Sequence, residues 1–152
     1  MAGRKKAEIT DYIICPLSMV AIYAKPNDEA TLISQLLFGE TAIILSKKDK
    51  RWYKINTSLD ETEGYVDIRQ FEFISEQEYH KCNNDFSVCT DLCQVLKNDD
   101  IAVPITVGAS LPKYDGMIVK LLERKYVFNG QAIRFNEVNF TPDMFEIISN
   151  RF

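Results

Sequence analysis

The sequence has neither the long apolar runs of a membrane protein nor the excess of positive charge that is typical of nucleic-acid binding. Its apolar runs, such as the one over residues 42–45, are the length of a strand and far below the roughly 20 residues of a membrane helix. The basic N-terminus lacks the apolar stretch that completes a signal peptide. With 18 basic and 22 acidic residues, the net charge of −4 offers no general attraction to nucleic acid. We therefore expect a protein without membrane or nucleic-acid partners, located in the cytoplasm.

Histidine and cysteine are also scarce, which bears on metal binding and on thiol chemistry. The only histidine is His80, and the four cysteines are Cys15, Cys82, Cys89 and Cys93. Three thiols and an imidazole could form a tetrahedral zinc site, but the sequence contains no Cys-x-x-Cys knuckle. Without export, the thiols are expected to remain reduced and to act as small buried side chains. We accordingly expect neither a metal nor another cofactor.

What the sequence does contain is a succession of short β-strand patterns. Its 152 residues, 46% of them hydrophobic and 26% charged, suit one globular domain or two small ones. About five strands separated by turn signals fit into the first half at a spacing of roughly ten residues, which favours a small barrel over alternating helices and strands. The second half is also rich in β-branched residues, and Asn129-Gly130 is typical of a two-residue hairpin turn.

Two segments carry the signals of helix starts. Residues 75–78 (Ser-Glu-Gln-Glu) fit a capping box, in which the Ser75 hydroxyl accepts a hydrogen bond from the Glu78 amide and the Glu78 carboxylate reaches back. Residues 141–143 (Thr-Pro-Asp) fit the start of a second helix. We therefore predict a mainly β fold, consisting of a first barrel over 14–74, a short helical linker over 75–85, a second barrel over 86–138 and the start of a C-terminal helix over 139–152.

A basic cluster lies at what should be the exposed tip of a hairpin, beside two aromatic residues. It includes Lys48 and Arg51, and it is either a solvated turn that blunts aggregation or a contact for an anionic partner. The neighbouring Trp52 could be a core anchor or part of the same surface contact. Because side chains alternate along a strand, we expect Trp52 and Tyr53 to lie on opposite faces, so that only one of them belongs to the core.

Several short motifs follow one another in an order that resembles a known family. In the first half they are Ser-Gln-Leu-Leu-Phe-Gly-Glu at 34–40, Trp-Tyr-Lys-Ile at 52–55 and Glu-Gly-Tyr-Val-Asp at 63–67. In order and spacing they resemble the first bacterial SH3 domain of NlpC/P60 cysteine peptidases, which lies upstream of the catalytic domain. In the second half, Gly-Ala-Ser-Leu-Pro at 108–112 and Lys-Tyr-Val-Phe-Asn-Gly at 125–130 resemble the second SH3 domain of the same proteins. The resemblance implies two SH3-like β-barrels.

The resemblance also implies that this chain is not itself an enzyme. In the family, a helix after the second SH3 domain leads into a papain-like catalytic domain, whose nucleophile lies in an Asp-Cys-Ser-Gly motif. None of the four cysteines here is followed by Ser-Gly, and the sequence ends at Phe152. The chain is therefore expected to be the non-catalytic N-terminal region of a peptidase that resembles a γ-D-glutamyl-L-diamino-acid endopeptidase. Its partners would be peptidoglycan-derived peptides and the catalytic domain of the same polypeptide.

An alternative is a free-standing module that recognises cell-wall peptide or a protein partner by itself. Either protein would belong to the bacterial envelope if a leader had been removed from it.

The resemblance further implies that the first SH3 domain contacts substrate. In the family this domain packs on the catalytic domain, helps to wall the active-site cleft and restricts it to muropeptides with a free N-terminal L-alanine. Recognition of that ammonium group needs a carboxylate, for which Glu40 is the candidate, and a phenol that orients it, for which Tyr65 is the candidate. The alternative is that Glu40 caps a turn beside Gly39 and that Tyr65 is part of the barrel core.

Overall fold

The computed structural model describes residues 10–134, which form fourteen strands, one α-helix and one 3-10 turn. The prediction of a mainly β fold is therefore confirmed. The predicted C-terminal helix over 139–152 lies outside the described residues, as do residues 135–138 of the second predicted barrel. Among the residues that the structure describes, no helix is long and apolar enough to cross a membrane.

The first half forms one antiparallel sheet of seven strands. The strands are β1 (Tyr12–Ile14), β2 (Met19–Tyr23), β3 (Leu32–Leu37), β4 (Thr41–Lys47), β5 (Trp52–Thr57), β6 (Glu63–Asp67) and β7 (Glu72–Ile74). Their order in the sheet is β3-β2-β6-β5-β4-β1-β7. The 3-10 turn over Ile68–Gln70 lies between β6 and β7 in the sequence. In the longer strands, every second side chain faces the core. Val20 and Ile22, for example, point into the same core as Ile55. The short strand β1, which the sequence pattern did not predict, joins β4 to β7.

The second half forms two smaller antiparallel sheets. Its strands are β8 (Phe86–Cys89), β9 (Cys93–Lys97), β10 (Ala102–Thr106), β11 (Ser110–Pro112), β12 (Ile118–Leu121), β13 (Arg124–Val127) and β14 (Ala132–Arg134). One sheet has the order β10-β9-β13-β12 and the other the order β11-β8-β14.

The predicted hairpin turn at Asn129-Gly130 is wrong. The strands on either side of it belong to different sheets, because β13 pairs with β12 and β9 whereas β14 pairs with β8. The tight turn instead lies between β12 and β13, where Leu122 adopts a positive φ of 54°. Close packing explains why residue 130 is a glycine, since a β-carbon there would lie 2.6 Å from the Asp91 carboxylate.

The two halves share one of the two hydrophobic cores. The first core is built from residues of the seven-stranded sheet and its connections. The second core combines Ile14, Phe38 and Ile74 from the first half with strands of the second half. Phe38 is fully buried there, and its ring meets that of Tyr126 edge to face, with 5.8 Å between the ring centroids. Burial of a large aromatic ring across this boundary couples the stability of the two halves.

Gly39 allows the two halves to approach closely. Its φ is +79°, and a β-carbon at this position would lie 2.2 Å from the carbonyl oxygen of Ser110. The amide of Ser110 donates a hydrogen bond of 2.9 Å to the carbonyl of Phe38. The Leu-Leu-Phe-Gly-Glu motif therefore forms part of the joint between the halves, because its phenylalanine fills the shared core and its glycine permits backbone contact.

Helix α1 (Glu76–Asn84) connects the two halves at the predicted place. Ser75 is its N-cap, and the Ser75 hydroxyl accepts a hydrogen bond of 3.1 Å from the Glu78 amide. The other arm of the predicted capping box is replaced, because the Glu78 carboxylate pairs with the amine of Lys113 in the second half. The linker is thus fixed both by its own cap and by an ion pair to the second half.

Candidate functional site

Glu40 lies in the connection between β3 and β4, directly after the joint at Gly39. Its carboxylate accepts a hydrogen bond of 2.8 Å from the Leu37 amide, so that it caps the turn. The same carboxylate lines a cavity of about 240 Å³. The other lining residues are Gln35, Leu36, Thr41, Thr57, Leu59 and Asp60. The two alternatives stated for Glu40 are therefore compatible, since a turn-capping carboxylate also borders the cavity.

Burial makes the Glu40 carboxyl unusually easy to protonate. Desolvation raises its pKa from 4.5 to about 7, although the hydrogen bond from the Leu37 amide favours the ionised form. The negative charge of Asp60 raises the pKa of Glu40 further. A cation that entered the cavity would oppose both effects and would favour the ionised carboxylate.

Asp60 is a second carboxylate in the wall of this cavity. The Thr57 hydroxyl donates a hydrogen bond to it, and this bond is the largest contribution that lowers the pKa of Asp60. Thr57 is buried and also accepts a hydrogen bond of 2.9 Å from the Thr62 amide. The cavity therefore combines an ionised aspartate with a glutamate that titrates near neutral pH.

Sequence reasoning missed Asp60. It belongs to the acidic loop between β5 and β6, and no local motif relates that loop to Glu40. The pairing of β4 with β5 brings the two carboxylates to one cavity, because the start of β4 lies opposite the end of β5 at Ala42 and Thr57.

A hydrogen-bonded chain fixes the cavity wall to helix α1. The buried Thr41 hydroxyl lies 3.0 Å from the side-chain oxygen of Asn83 and 2.9 Å from the hydroxyl of Ser58. The Ser58 hydroxyl lies 2.9 Å from the phenol of Tyr79. Each hydroxyl can donate to the next acceptor, in the order Tyr79, Ser58, Thr41, Asn83. The helix that joins the two halves thus also holds one wall of the cavity in place.

The structure does not bring Tyr65 to Glu40. Tyr65 lies on β6, paired with Lys54 of β5 and Tyr23 of β2, and it does not line the cavity. It is half-buried, and its sequence neighbour Val66 belongs to the first core. By alternation Tyr65 is on the face of the sheet opposite that core. The two predicted substrate-contact residues are therefore separate, and the hydroxyl groups beside Glu40 come from Thr41 and Thr57.

The basic hairpin tip is largely as predicted, but Arg51 is already paired. The β4–β5 connection exposes Lys48 to solvent. Arg51 binds Asp28 at 2.8 Å and Asp67 at 2.9 Å, which holds its guanidinium against the sheet. Asp67 also pairs with Arg69 at 2.7 Å, and these arginines keep the pKa of Asp67 well below its usual range. Of the three predicted contact residues, only Lys48 extends freely into solvent.

The prediction that Trp52 forms part of a surface contact is wrong, because the residue is buried. It is only 5% exposed, because the Arg51 guanidinium lies 4.9 Å from its ring and Tyr23 packs against it edge to face at 5.7 Å. Tyr53 is 8% exposed and belongs to the first core. The expectation that only one of Trp52 and Tyr53 would be buried is therefore wrong, although they do face opposite ways. An arginine and a tyrosine cover the outer face locally.

The four cysteines differ in their exposure to solvent. Cys15, Cys82 and Cys89 are buried, whereas Cys93 is exposed. Burial raises the pKa of Cys15 and of Cys82 to about 12, so both remain protonated at neutral pH. Within residues 10–134, no three histidine, cysteine, aspartate or glutamate side chains are grouped so that they could hold a metal ion.

Two comparisons with known proteins gave a match, one to a sequence family and one to a solved structure. Residues 22–71 match the family described as the bacterial dipeptidyl-peptidase SH3 domain. A solved structure described as an NlpC/P60 family protein from Bacillus cereus ATCC 10987 is similar, with a TM-score of 0.70 at 14% sequence identity, over 93% of this chain and 63% of that one. This chain thus spans less than two thirds of that protein, and the likeness concerns the fold. Comparison with curated proteins gave no match.

These matches confirm the predicted resemblance to a bacterial SH3 domain and to an NlpC/P60 protein. The segment of the family match includes Glu40 and Asp60, so both carboxylates of the cavity lie in the part of the chain that is similar to the bacterial SH3 domain.

Proposed function

We propose that this chain is the non-catalytic part of a peptidoglycan-peptide hydrolase of the NlpC/P60 type. Two SH3-like barrels, over residues 14–74 and 86–138, would admit the peptide and position it for a catalytic domain of the same polypeptide. The SH3 match over 22–71 and the fold shared with a longer NlpC/P60 protein support this proposal. Burial raises the pKa of the Cys15, Cys82 and Cys89 thiols, which makes these three poor nucleophiles, and the proposal assigns the nucleophile to that other domain.

The cavity at Glu40 is the single observation that carries the proposal. A cavity of about 240 Å³ with two carboxylates in its wall suits a small positively charged group. A peptide with a free N-terminal alanine presents such a group, an ammonium with three donors on a residue with a small side chain. Glu40 would accept one of these hydrogen bonds as a charged acceptor, and Asp60 would contribute negative charge.

Selection for a free N-terminus follows from the same chemistry. An acylated N-terminus carries no charge and has one donor, so it would leave a desolvated Glu40 without a cation. Such a loss of charge complementarity in a partly buried site costs about 1.5–3 kcal/mol, which corresponds to a tenfold or larger loss of affinity. The SH3 module would therefore exclude peptides that are still attached to a glycan through their N-terminus.

Binding of a defined peptide to the full chain tests the proposal. The ligand is L-Ala-γ-D-Glu-diaminopimelate, and its N-acetylated form is the control ligand. We expect the free peptide to shift the NMR amide signals of Leu37 and Thr62, whereas the acetylated peptide should bind at least about tenfold more weakly. The variant Glu40→Gln should lose most of the affinity for the free peptide. The matched control Glu29→Gln, which changes an exposed glutamate, should bind as the wild type does.

Equal binding of the two peptides would contradict the proposed selection. Unchanged affinity in the Glu40→Gln variant would remove Glu40 from the site.

A further inference from the structure

A second, larger cavity lies where helix α1 meets the second half of the chain. It has a volume of about 710 Å³ and is more open than the cavity at Glu40. We call it the basic groove. It is lined by Gln77, His80, Lys81, Asn84, Asp85, Lys113 and Lys120.

The basic groove is positively charged, although the chain as a whole is not. Three lysines face one carboxylate, Asp85, in its wall, whereas the whole chain has a net charge of −4. Lys113 is neutralised by Glu78, and Asp85 pairs with Arg134 at 3.2 Å. None of the ion pairs within residues 10–134 includes Lys81 or Lys120. Lys81 and Lys120 therefore add positive charge at one concave surface without a direct ion pair, although Lys120 also interacts electrostatically with Asp115.

The walls of the basic groove are held in fixed positions. Lys120 lies on β12 between the buried residues Val119 and Leu121, so alternation directs it outwards. On the opposite wall, Lys81 belongs to the capped helix α1. The Lys113 amide donates a hydrogen bond of 3.1 Å to the carbonyl of Asp85, which ties the β11–β12 connection to the end of the helix. Fixed walls reduce the entropy that a ligand would lose by ordering the site.

We propose that the basic groove binds a carboxylate group of a peptide. Lys81 and Lys120 would pair with the carboxylate, and the side-chain amide of Gln77 would form a hydrogen bond with the peptide backbone. His80 adds a ring that already lies 3.7 Å from Glu76.

Helix α1 connects this groove with the cavity at Glu40. Asn83 bonds to Thr41 in the wall of that cavity, whereas Lys81 and Asn84 line the basic groove. One helix thus borders an acidic and a basic site, and a peptide with an ammonium and several carboxylates has charges for both. The inference rests on the proposed function only in taking its peptide as the ligand.

The test uses the full chain, the same tripeptide and a second form of it in which all carboxyl groups are amidated. Binding is followed by the NMR amide signals of α1 and β12. We expect the tripeptide to shift these signals and the amidated form to leave them in place. The double variant Lys81→Gln/Lys120→Gln should bind the tripeptide with about tenfold lower affinity than the wild type. The control double variant Lys25→Gln/Lys125→Gln, which removes the same charge from exposed positions, should bind as the wild type does.

Several outcomes separate this inference from the proposed function. Shifts at α1 and β12 that persist in the Glu40→Gln variant would support the basic groove as an independent site. Shifts at Leu37 and Thr62 alone would overturn the basic groove and leave the proposed function intact. Shifts at α1 and β12 without shifts at Leu37 would support the groove and contradict the role of Glu40. Inorganic phosphate that displaced the tripeptide at equal concentration would overturn the assignment to a peptide carboxylate.

Discussion

Glu40 combines a structural and an electrostatic role in one side chain. Its hydrogen bond to the Leu37 amide holds the turn after β3, and its burial raises its pKa to about 7. The first role keeps the carboxylate in place at the cavity. The second makes its charge depend on pH in the neutral range and on any cation in the cavity.

The raised pKa of Glu40 predicts that it destabilises the folded chain at alkaline pH. A carboxyl with a pKa of about 7 when folded and 4.5 when unfolded binds its proton more tightly in the folded state. Stability is therefore lost as pH rises from about 4.5 to 7, and the total cost is on the order of 3 kcal/mol. Glu40→Gln removes this dependence and keeps an acceptor for the Leu37 amide. Urea unfolding should show a clearly larger gain in stability for the variant at pH 8 than at pH 5.

Glu29→Gln serves as the control for this measurement, since Glu29 is exposed. The same pH dependence in wild type and Glu40→Gln would show that Glu40 has an ordinary pKa.

Single residues were only partly predictable. Glu40 could be found because its motif is local, and the structure places it at a cavity. Asp60 could not be found, since it reaches that cavity through strand pairing. Trp52 was misplaced because alternation along one strand does not reveal that Tyr23, which is distant in sequence, and the side chain of the neighbouring Arg51 both cover its ring.

At the scale of elements, local signals predicted the strands better than their partners. Alternating apolar residues indicated β2, β4, β5 and β6, and β-branched residues indicated β10. The signal at Asn129-Gly130 failed because a turn-forming pair does not determine whether the next strand joins the same sheet. Strand β1 is only three residues long, so it has too few positions for alternation to show.

The helix cap makes a prediction at this scale. Replacing Ser75 by Ala removes the acceptor for the Glu78 amide and should destabilise the chain by about 1 kcal/mol. Ser75→Asp keeps an acceptor at the N-cap and should retain the stability of the wild type. Thermal unfolding of the three proteins by circular dichroism checks this. Equal stability of Ser75→Ala and wild type would mean that the ion pair of Glu78 with Lys113 is sufficient to fix the helix.

The whole molecule depends on the joint between its halves. Phe38 and Gly39 lie at this joint, with Phe38 in the shared core and Gly39 against Ser110. Helix α1 adds the ion pair of Glu78 with Lys113 in the second half and accepts a hydrogen bond from the Thr41 hydroxyl at the side-chain oxygen of Asn83. Because contacts of several kinds cross the boundary, we expect the halves to unfold together. The sequence could predict two β-rich halves, but local patterns cannot reveal a core that brings Phe38 of one half against Tyr126 of the other.

Gly39→Ala tests the joint, and Gly116→Ala is its control. Both glycines have a positive φ, so alanine costs about 1 kcal/mol at either position. Only at Gly39 does the new β-carbon meet backbone, at 2.2 Å from the Ser110 carbonyl oxygen, whereas nothing lies within 4 Å at Gly116. Overpacking should add about 1–3 kcal/mol at Gly39. Urea unfolding should show a larger decrease in the free energy of unfolding for Gly39→Ala than for Gly116→Ala. Equal decreases would contradict the close contact of the halves.

The most direct test of the central claim is a titration of the Glu40 carboxyl carbon by ¹³C NMR, with and without L-Ala-γ-D-Glu-diaminopimelate. The signal is assigned by its disappearance in Glu40→Gln. In the free chain we predict a midpoint near pH 7, because burial raises the pKa of Glu40 to about 7. With the peptide bound, the ammonium group should lower that midpoint by about one unit or more. A midpoint near 4.5 in the free chain, or a midpoint that bound peptide leaves unchanged, would contradict the recognition of an ammonium group by Glu40.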